Sequence, residues 1–260
     1  MAKLSYSELG HGLPVVLLHG FANDHSLWRE QVQALVIRHR IIGPDLRGFG
    51  RSPDTDGAPV SMDAYADDVL ELLDALEIAR AVIGGISLGG YVSLAFALRH
   101  PQRVAGLVLA NTRAGPDEAP AVLARRAFAS DIAKRGPEAV VESYGDKPFR
   151  PDCERAVKEA VRDTIRAQRV NGLVSGTLGM AARPDRRPEL ASIRVPTLVI
   201  HGTEDRFIPV EEARVIHERI AGSRCVVLEG AGHLSCIDTP GPFNAALGAF
   251  LEPISCEEGM

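Results

Sequence analysis

The sequence predicts one α/β unit built around a doubly wound, mostly parallel sheet. Two observations carry that expectation. Short apolar runs recur along the chain without in/out alternation, as strands buried on both faces require. Amphipathic helical segments separate them, so the connections are crossovers and binding loops should gather beyond the carboxyl ends of the strands. With 260 residues the chain can bury a large core as a single unit.

Six runs read as strands: Val15 to His19, Ile41 to Pro44, Ala81 to Ile86, Val104 to Ala110, Thr197 to Ile200 and Cys225 to Leu228. Lys3 to Leu9 leaves room for one further short strand ahead of them. Met62, Tyr65, Val69, Leu72, Leu73 and Leu76 form a helical stripe over Met62 to Ile78, and Ser61 is its expected N-cap. A second helix is expected over Tyr91 to Arg99, directly after a glycine-rich turn. From about Arg113 to Pro188 the strand pattern stops, and charged helical segments follow around Ala121 to Lys134, Pro137 to Tyr144 and Pro151 to Val170. So long a stretch is no simple loop. The chain is therefore expected to divide into a core over residues 1–112 and 189–260 and a helical insertion over residues 113–188, part of the same unit and folded over the strand ends.

Composition narrows the function. A net charge of −5 leaves no basic surface for phosphodiesters, so nucleic acid is not an expected partner. The uncharged stretch from Ala81 to Leu98 imitates a membrane span, but Gly84, Gly85, Gly89 and Gly90 at its centre fit a strand, a sharp turn and a buried helix better. Met1 to Gly12 is mixed and polar, unlike a signal sequence, and the expected location is cytoplasmic, with no membrane partner. Cys153, Cys225, Cys236 and Cys256 have neither metal-ligand nor CxxC spacing and are expected as thiols. No metal or other cofactor is implied, and no phosphate-cradling glycine loop follows the first strand.

The chemistry concentrates at Gly85-Ile86-Ser87-Leu88-Gly89, which follows a strand and opens a helix. A nucleophile on so tight a turn sits in strained backbone, and its neighbours two residues away must lack side chains. The helix N-terminus adds free amides and a dipole that favour developing negative charge. A glycine-rich turn with an incidental serine would look the same, so the partners decide. Serine needs a base, and His233 in Gly230-Ala231-Gly232-His233 follows the last strand. His11, His25, His39, His100 and His217 stand in charged or turn settings and read as solvent or capping residues; His201 ends a strand and reads as packed there. The histidine needs an acid, and Asp205 lies just past Thr197 to Ile200 on the same sheet edge. It is preferred to Glu204 because the loop can turn back toward the histidine by that point, and because Ser, Asp, His is the chain order expected of such an elbow. Asp45 reads as a turn former at the pocket rim. Two amides should hold the oxyanion: that of Leu88 after the nucleophile, and that of Phe21 in His19-Gly20-Phe21, with His19 holding this loop by hydrogen bonds.

Together, HGF, PDLRGFGRS, GGISLGGYVSLAFALRHPQRVAGLVLANT, VPTLVIHGTEDRFIP and GAGHLSCIDTPGPFNAALGAFL resemble the α/β-hydrolase superfamily across nearly the whole chain. Within it the resemblance is to small esterases and enol-lactonases similar to 3-oxoadipate enol-lactonase and pimeloyl-carrier methyl esterases. It implies the α/β-hydrolase fold, a helical cap over residues 113–188, Ser87 as nucleophile, Asp205 as acid, His233 as base, and Phe21 and Leu88 as oxyanion donors. The amino end departs from the pattern, since the usual leading hairpin is shortened. Ser87 excludes the carboxylate-dependent dehalogenases and epoxide hydrolases of this scaffold. The short His19-Gly20-Phe21-Ala22 differs from the longer glycine-proline loop of carbon-carbon bond hydrolases and proline iminopeptidases.

The expected activity is hydrolysis of a small carboxylic ester or lactone through an acyl-enzyme. The same residues would also serve a receptor that senses its ligand by slow covalent reaction, a cofactor-free lyase or synthase, or a carbon-carbon bond hydrolase. Phe21, Trp28, Phe128, Phe149, Ile208 and Leu234 are the expected substrate-binding residues, around a mainly apolar acyl or alkoxy group. The arginines Arg125, Arg126, Arg150, Arg155, Arg166 and Arg169 read mostly as surface charge, with recognition of a substrate carboxylate as the alternative.

Overall fold

A computed structural model describes residues 3–258, with side chains to residue 254. The side chain of Cys256, and the ends of the expected core segments, Met1, Ala2, Gly259 and Met260, lie outside that description. Seven strands, β1 (Tyr6–Leu9), β2 (Leu13–Leu18), β3 (His39–Pro44), β4 (Ala81–Ile86), β5 (Val104–Ala110), β6 (Thr197–Gly202) and β7 (Arg224–Leu228), form one sheet in the order β1-β3-β2-β4-β5-β6-β7. Every neighbouring pair is parallel except β1 with β3, which are antiparallel. The central strands β4, β5 and β6 are buried throughout, which is why they read as unbroken apolar runs.

Helices α1 (Arg29–Leu35), α2 (Met62–Ala75), α3 (Leu88–Arg99), α4 (Ala119–Arg135), α5 (Glu138–Tyr144), α6 (Arg155–Arg166), α7 (Val170–Ala181), α8 (Glu211–Arg219), α9 (Ser235–Asp238) and α10 (Pro240–Glu258) complete the fold and flank the sheet. Ser61 caps α2, its hydroxyl accepting from Ala64 N at 3.0 Å. The residues from 81 to 98 are a strand, a turn and a buried helix, and among the described residues no helix is long and apolar enough to cross a membrane. Cys153, Cys225 and Cys236 are free thiols.

Four helices, α4 to α7, fill the interval between β5 and β6. The segment expected as helical from Pro151 to Val170 is shorter, at Arg155–Arg166, and α7 is an addition. Its apolar stripe is replaced by glycines: a Cβ at Gly172 would lie 1.8 Å from Gly48 O, and one at Gly179 would lie 1.9 Å from Val60 O. The bare helix backbone thus presses on the loops that follow β3. A Cβ at Gly176 would instead meet the ring edge of Phe49 at 2.9 Å, a side chain that can shift.

Alanine would normally favour a helix by about 1 kcal/mol over glycine, so the contacts decide the sign. Gly172→Ala should lower the free energy of unfolding by about 1 to 3 kcal/mol in chemical denaturation, and Gly176→Ala should cost less. Equal stability of Gly172→Ala and the wild type would refute this account of α7.

Candidate active site

The carboxyl ends of β2, β4, β5, β6 and β7 converge on one cavity. Ser87 follows β4 in a left-handed backbone conformation, φ 55° and ψ −113°. A Cβ at Gly85 would lie 2.3 Å from Gly89 C, and one at Gly89 would lie 2.1 Å from Leu18 O. Both glycines are therefore required by close backbone approach. Ser87 N donates to Ala110 O at 3.0 Å, and Thr112 Oγ1 donates to Ser87 O at 3.0 Å, which fastens the turn to the end of β5.

His233 lies on the loop after β7, and its Nδ1 is 2.8 Å from Asp205 Oδ2. Because Asp205 is ionised it can only accept, so this contact places a proton on Nδ1. The ring is nearly buried and stands edge-on to Phe207 at 5.1 Å. Asp205 comes from the loop after β6 and its side chain is fully buried. Burial alone would raise its pKa, but the facing charge of His233 and hydrogen bonds from His201, His233 and Asn111 outweigh it and hold the carboxyl far below the usual range. Its second oxygen accepts from Phe207 N at 2.8 Å and Ile208 N at 3.0 Å.

Two neighbours complete this arrangement. Asn111, unmarked in the sequence reading, donates from Nδ2 to Asp205 Oδ2 at 3.0 Å and to Gly232 O at 3.2 Å, so one side chain ties the acid to the histidine loop. Its φ of 42° is tolerated by asparagine better than by most residues, and its place just past β5 is the available clue. His201 packs at its strand end, with Nε2 2.8 Å from Ile208 O and 3.4 Å from Asp205 Oδ2.

The His19-Gly20-Phe21 turn abuts the elbow. A Cβ at Gly20 would lie 3.7 Å from Ser87 Cβ. His19 accepts from Leu46 N through Nε2 at 2.9 Å, so its Nδ1 donates to Gly20 O at 2.8 Å. Burial lowers its pKa and keeps it neutral. Asn23 adds bonds to Gly20 O and Phe21 O. Among the described hydrogen bonds, neither Phe21 N nor Leu88 N donates to a protein acceptor.

Ser87 and His233 line one cavity of about 420 Å³. Of the expected pocket residues, Phe21, Phe128 and Ile208 line it as well. Leu234 instead borders a small gap behind Ser87 and His233. Trp28 and Phe149 do not line the cavity: Trp28 is buried against Phe243, ring centroids 6.0 Å apart, and Phe149 is buried behind the histidine loop. Both are expected as apolar residues of the loops and lid that face the elbow, but core packing takes them. Tyr91 and Tyr144 are lining residues that the sequence reading missed.

The wall is mainly apolar but carries charge as well. Arg113, Asp117 and Arg125 face the cavity. Asp117 is ion-paired with Arg125 through Oδ2 and with Arg183 through Oδ1 at 2.6 Å. Burial opposes its ionisation, but these guanidinium groups prevail and lower its pKa. Arg113 is less well matched: its nearest carboxylate is Glu212 at 3.9 Å, one Nη donates to Phe207 O at 3.4 Å, and its buried Nε has no acceptor among the described residues. Thr177 Oγ1, also on the cavity, is buried without a partner among the described residues.

Among the described residues, Asp24, His25 and Asp45 bring possible metal-ligand atoms within 4.8 Å of one another, but local bonds engage them. Asp45 Oδ1 accepts from His25 N at 2.9 Å and lies 2.7 Å from His25 Nδ1; its Oδ2 accepts from Arg51 N, and Asp24 accepts from Ser26 N. Asp45 is thus a fully buried brace between two loops rather than a rim residue, and His25 is its partner rather than a solvated histidine.

The comparisons agree with this architecture. An esterase from Thermogutta terrifontis, solved with malate bound, is 36% identical, with a TM-score of 0.92 over 98% of this chain and 94% of that chain. A 3-oxoadipate enol-lactonase from Acinetobacter baylyi is 30% identical over 96% of this chain and 93% of its own length. A pimeloyl-[acyl-carrier protein] methyl ester esterase from Aeromonas hydrophila is 31% identical over 93% and 96%. The family model of the alpha/beta hydrolase fold matches residues 14–135 and 176–240, and the chain belongs to that family.

Proposed function

We propose that this hydrolase cleaves small carboxylic esters or lactones through an acyl-enzyme on Ser87. The observation that carries the reading is the His233–Asp205 hydrogen bond on a cavity shared with Ser87. His233 Nε2 takes the hydroxyl proton as Ser87 Oγ bonds to the carbonyl carbon, and the carbonyl electron pair moves onto oxygen. The amides of Phe21 and Leu88 face that oxyanion, each worth about 2.7 to 4 kcal/mol to the transition state. Collapse breaks the ester C–O bond, and the imidazolium returns its proton to the departing alkoxide. Water then attacks the acyl-serine by the same route, with Asp205 holding the tautomer throughout.

Residues 113–188 act as the cap in this reading, because α4, α5 and α7 supply Arg125, Tyr144 and Thr177 to the cavity wall. A cytoplasmic location fits the three free thiols. The unfilled donors of Arg113 and Thr177 favour a substrate with an anionic or strongly polar group remote from the scissile bond, since a purely apolar group would leave them unpaired at a cost of about 1 to 3 kcal/mol each.

Steady release of p-nitrophenol from p-nitrophenyl acetate is expected, falling about six orders of magnitude in Ser87→Ala; labelling of Ser87 by a fluorophosphonate without turnover would favour a covalent receptor instead. Arg113→Met should lower kcat/KM for a dicarboxylate monoester about 10- to 100-fold while sparing the corresponding neutral diester, and equal losses on both would defeat the anionic assignment. Asp205→Asn should cost about 10⁴-fold in kcat. Because the folded-state pKa of Asp205 is depressed, its ionised form contributes stability fully above about pH 4 and loses that contribution as pH falls further. Acid melting curves should therefore fall more steeply below that pH for the wild type than for Asp205→Asn, and parallel curves would contradict the assignment.

A further inference from the structure

The loop carrying His233 is tied down from two directions, and only one of them is the sheet. On the sheet side Asn111 holds Gly232 O, and Ser235 Oγ donates to Asn111 Oδ1 at 2.5 Å. On the other side stands the turn at residues 148–150, between α5 and α6 of the insertion. Leu234 N donates to Pro148 O at 3.0 Å. Asp238, at the end of α9, accepts on a single oxygen, Oδ2, from Gly232 N at 3.1 Å and from Arg150 N at 2.9 Å. The residues immediately before and after His233 are thus both fastened to the insertion.

The packing there leaves no slack. A Cβ at Gly232 would lie 2.6 Å from Asp238 Oδ2, 2.6 Å from Phe149 C and 2.7 Å from Arg150 N. Asp238 is 8% exposed, and its other oxygen has no N–H or O–H donor. The charged groups facing it are few. The Arg150 guanidinium is bonded to Asp152, and the Cys153 thiol is pushed up to about 12 by burial and the neighbouring carboxylate. A buried carboxylate whose other oxygen meets only the weak donor of the Cys153 thiol is a poor device for stability alone. Its placement makes sense as a clamp that joins two backbones.

We propose that Asp238 is a positioning residue for the reaction: its carboxylate fixes the backbone beside His233 to the 148–150 turn, so that the insertion sets where the imidazole stands over Ser87. This rests on the reading of His233 as the base. Asp205 fixes the ring at Nδ1, but a ring held at one end can still swing about its own Cα unless the flanking amides are held too. A displacement of about 1 Å at a reacting group can cost about 100-fold in rate.

The test is steady-state hydrolysis of p-nitrophenyl acetate by the full chain. Asp238→Ala should lower kcat about 10- to 100-fold with KM nearly unchanged, and Asp238→Asn, which keeps an oxygen for both amides, should restore most of it. Should the alanine variant fail to fold, Asp238→Glu, which moves the oxygen by one methylene, should show the same loss in kcat. In a His233→Ala background, adding Asp238→Ala should lower the residual rate no further. An unchanged kcat in Asp238→Ala, or an equal loss with and without His233, would overturn the proposal while leaving the triad intact. Wild-type turnover in His233→Ala would overturn the base and the clamp together.

Discussion

The close approach of three backbones at the elbow governs the rest of the site. Ser87 can hold φ 55° only because Gly85 and Gly89 let β4, α3 and the end of β2 come together with no room for a side chain. Such a conformation costs of order 1 to 3 kcal/mol, so the surroundings must over-determine it. Hydrogen bonds to Ala110 and from Thr112 do so from the β5 side. The result is a serine that lines the cavity at the end of β4, with the Gly20 turn against it.

A second constraint is electrostatic. The Asp205 side chain is fully buried, and an isolated carboxylate there would neutralise itself by taking up a proton. It stays ionised because its oxygens meet His233, Asn111 and the amides of Phe207 and Ile208. Those donors come from the ends of β5, β6 and β7. Satisfying one charge therefore brings three loops into register, and the orientation of the imidazole follows from that requirement.

Much of this was legible from residue order because buried parallel strands leave unbroken apolar runs, and because the elbow needs glycines at fixed offsets from its serine. The positions of His233 and Asp205 after successive strands followed from the same topology. What escaped was set through space. Asn111 lies 94 positions from Asp205, and nothing local marks it. Helix α7 escaped because Gly172, Gly176 and Gly179 stand where an apolar stripe would advertise a helix. Trp28 and Phe149 are apolar residues of the expected pocket, but the core takes them, whereas Arg125 reads mostly as surface charge and lines the cavity, as does Arg113, which nothing local marks.

These misses share a cause that bears on how the insertion works. Its helices are joined to the core by backbone contact at Gly172 and Gly179, by the 148–150 turn against Gly232, and by Gln168 Oε1, which accepts from Gly50 N at 2.9 Å. Sequence periodicity registers none of these, because each depends on a missing side chain or a distant partner. A segment so attached has little freedom to swing as a loose flap. Under the proposed function, substrate selection falls to the side chains of its wall, Arg113 among them, and His233 takes its position partly from the same segment that frames the cavity.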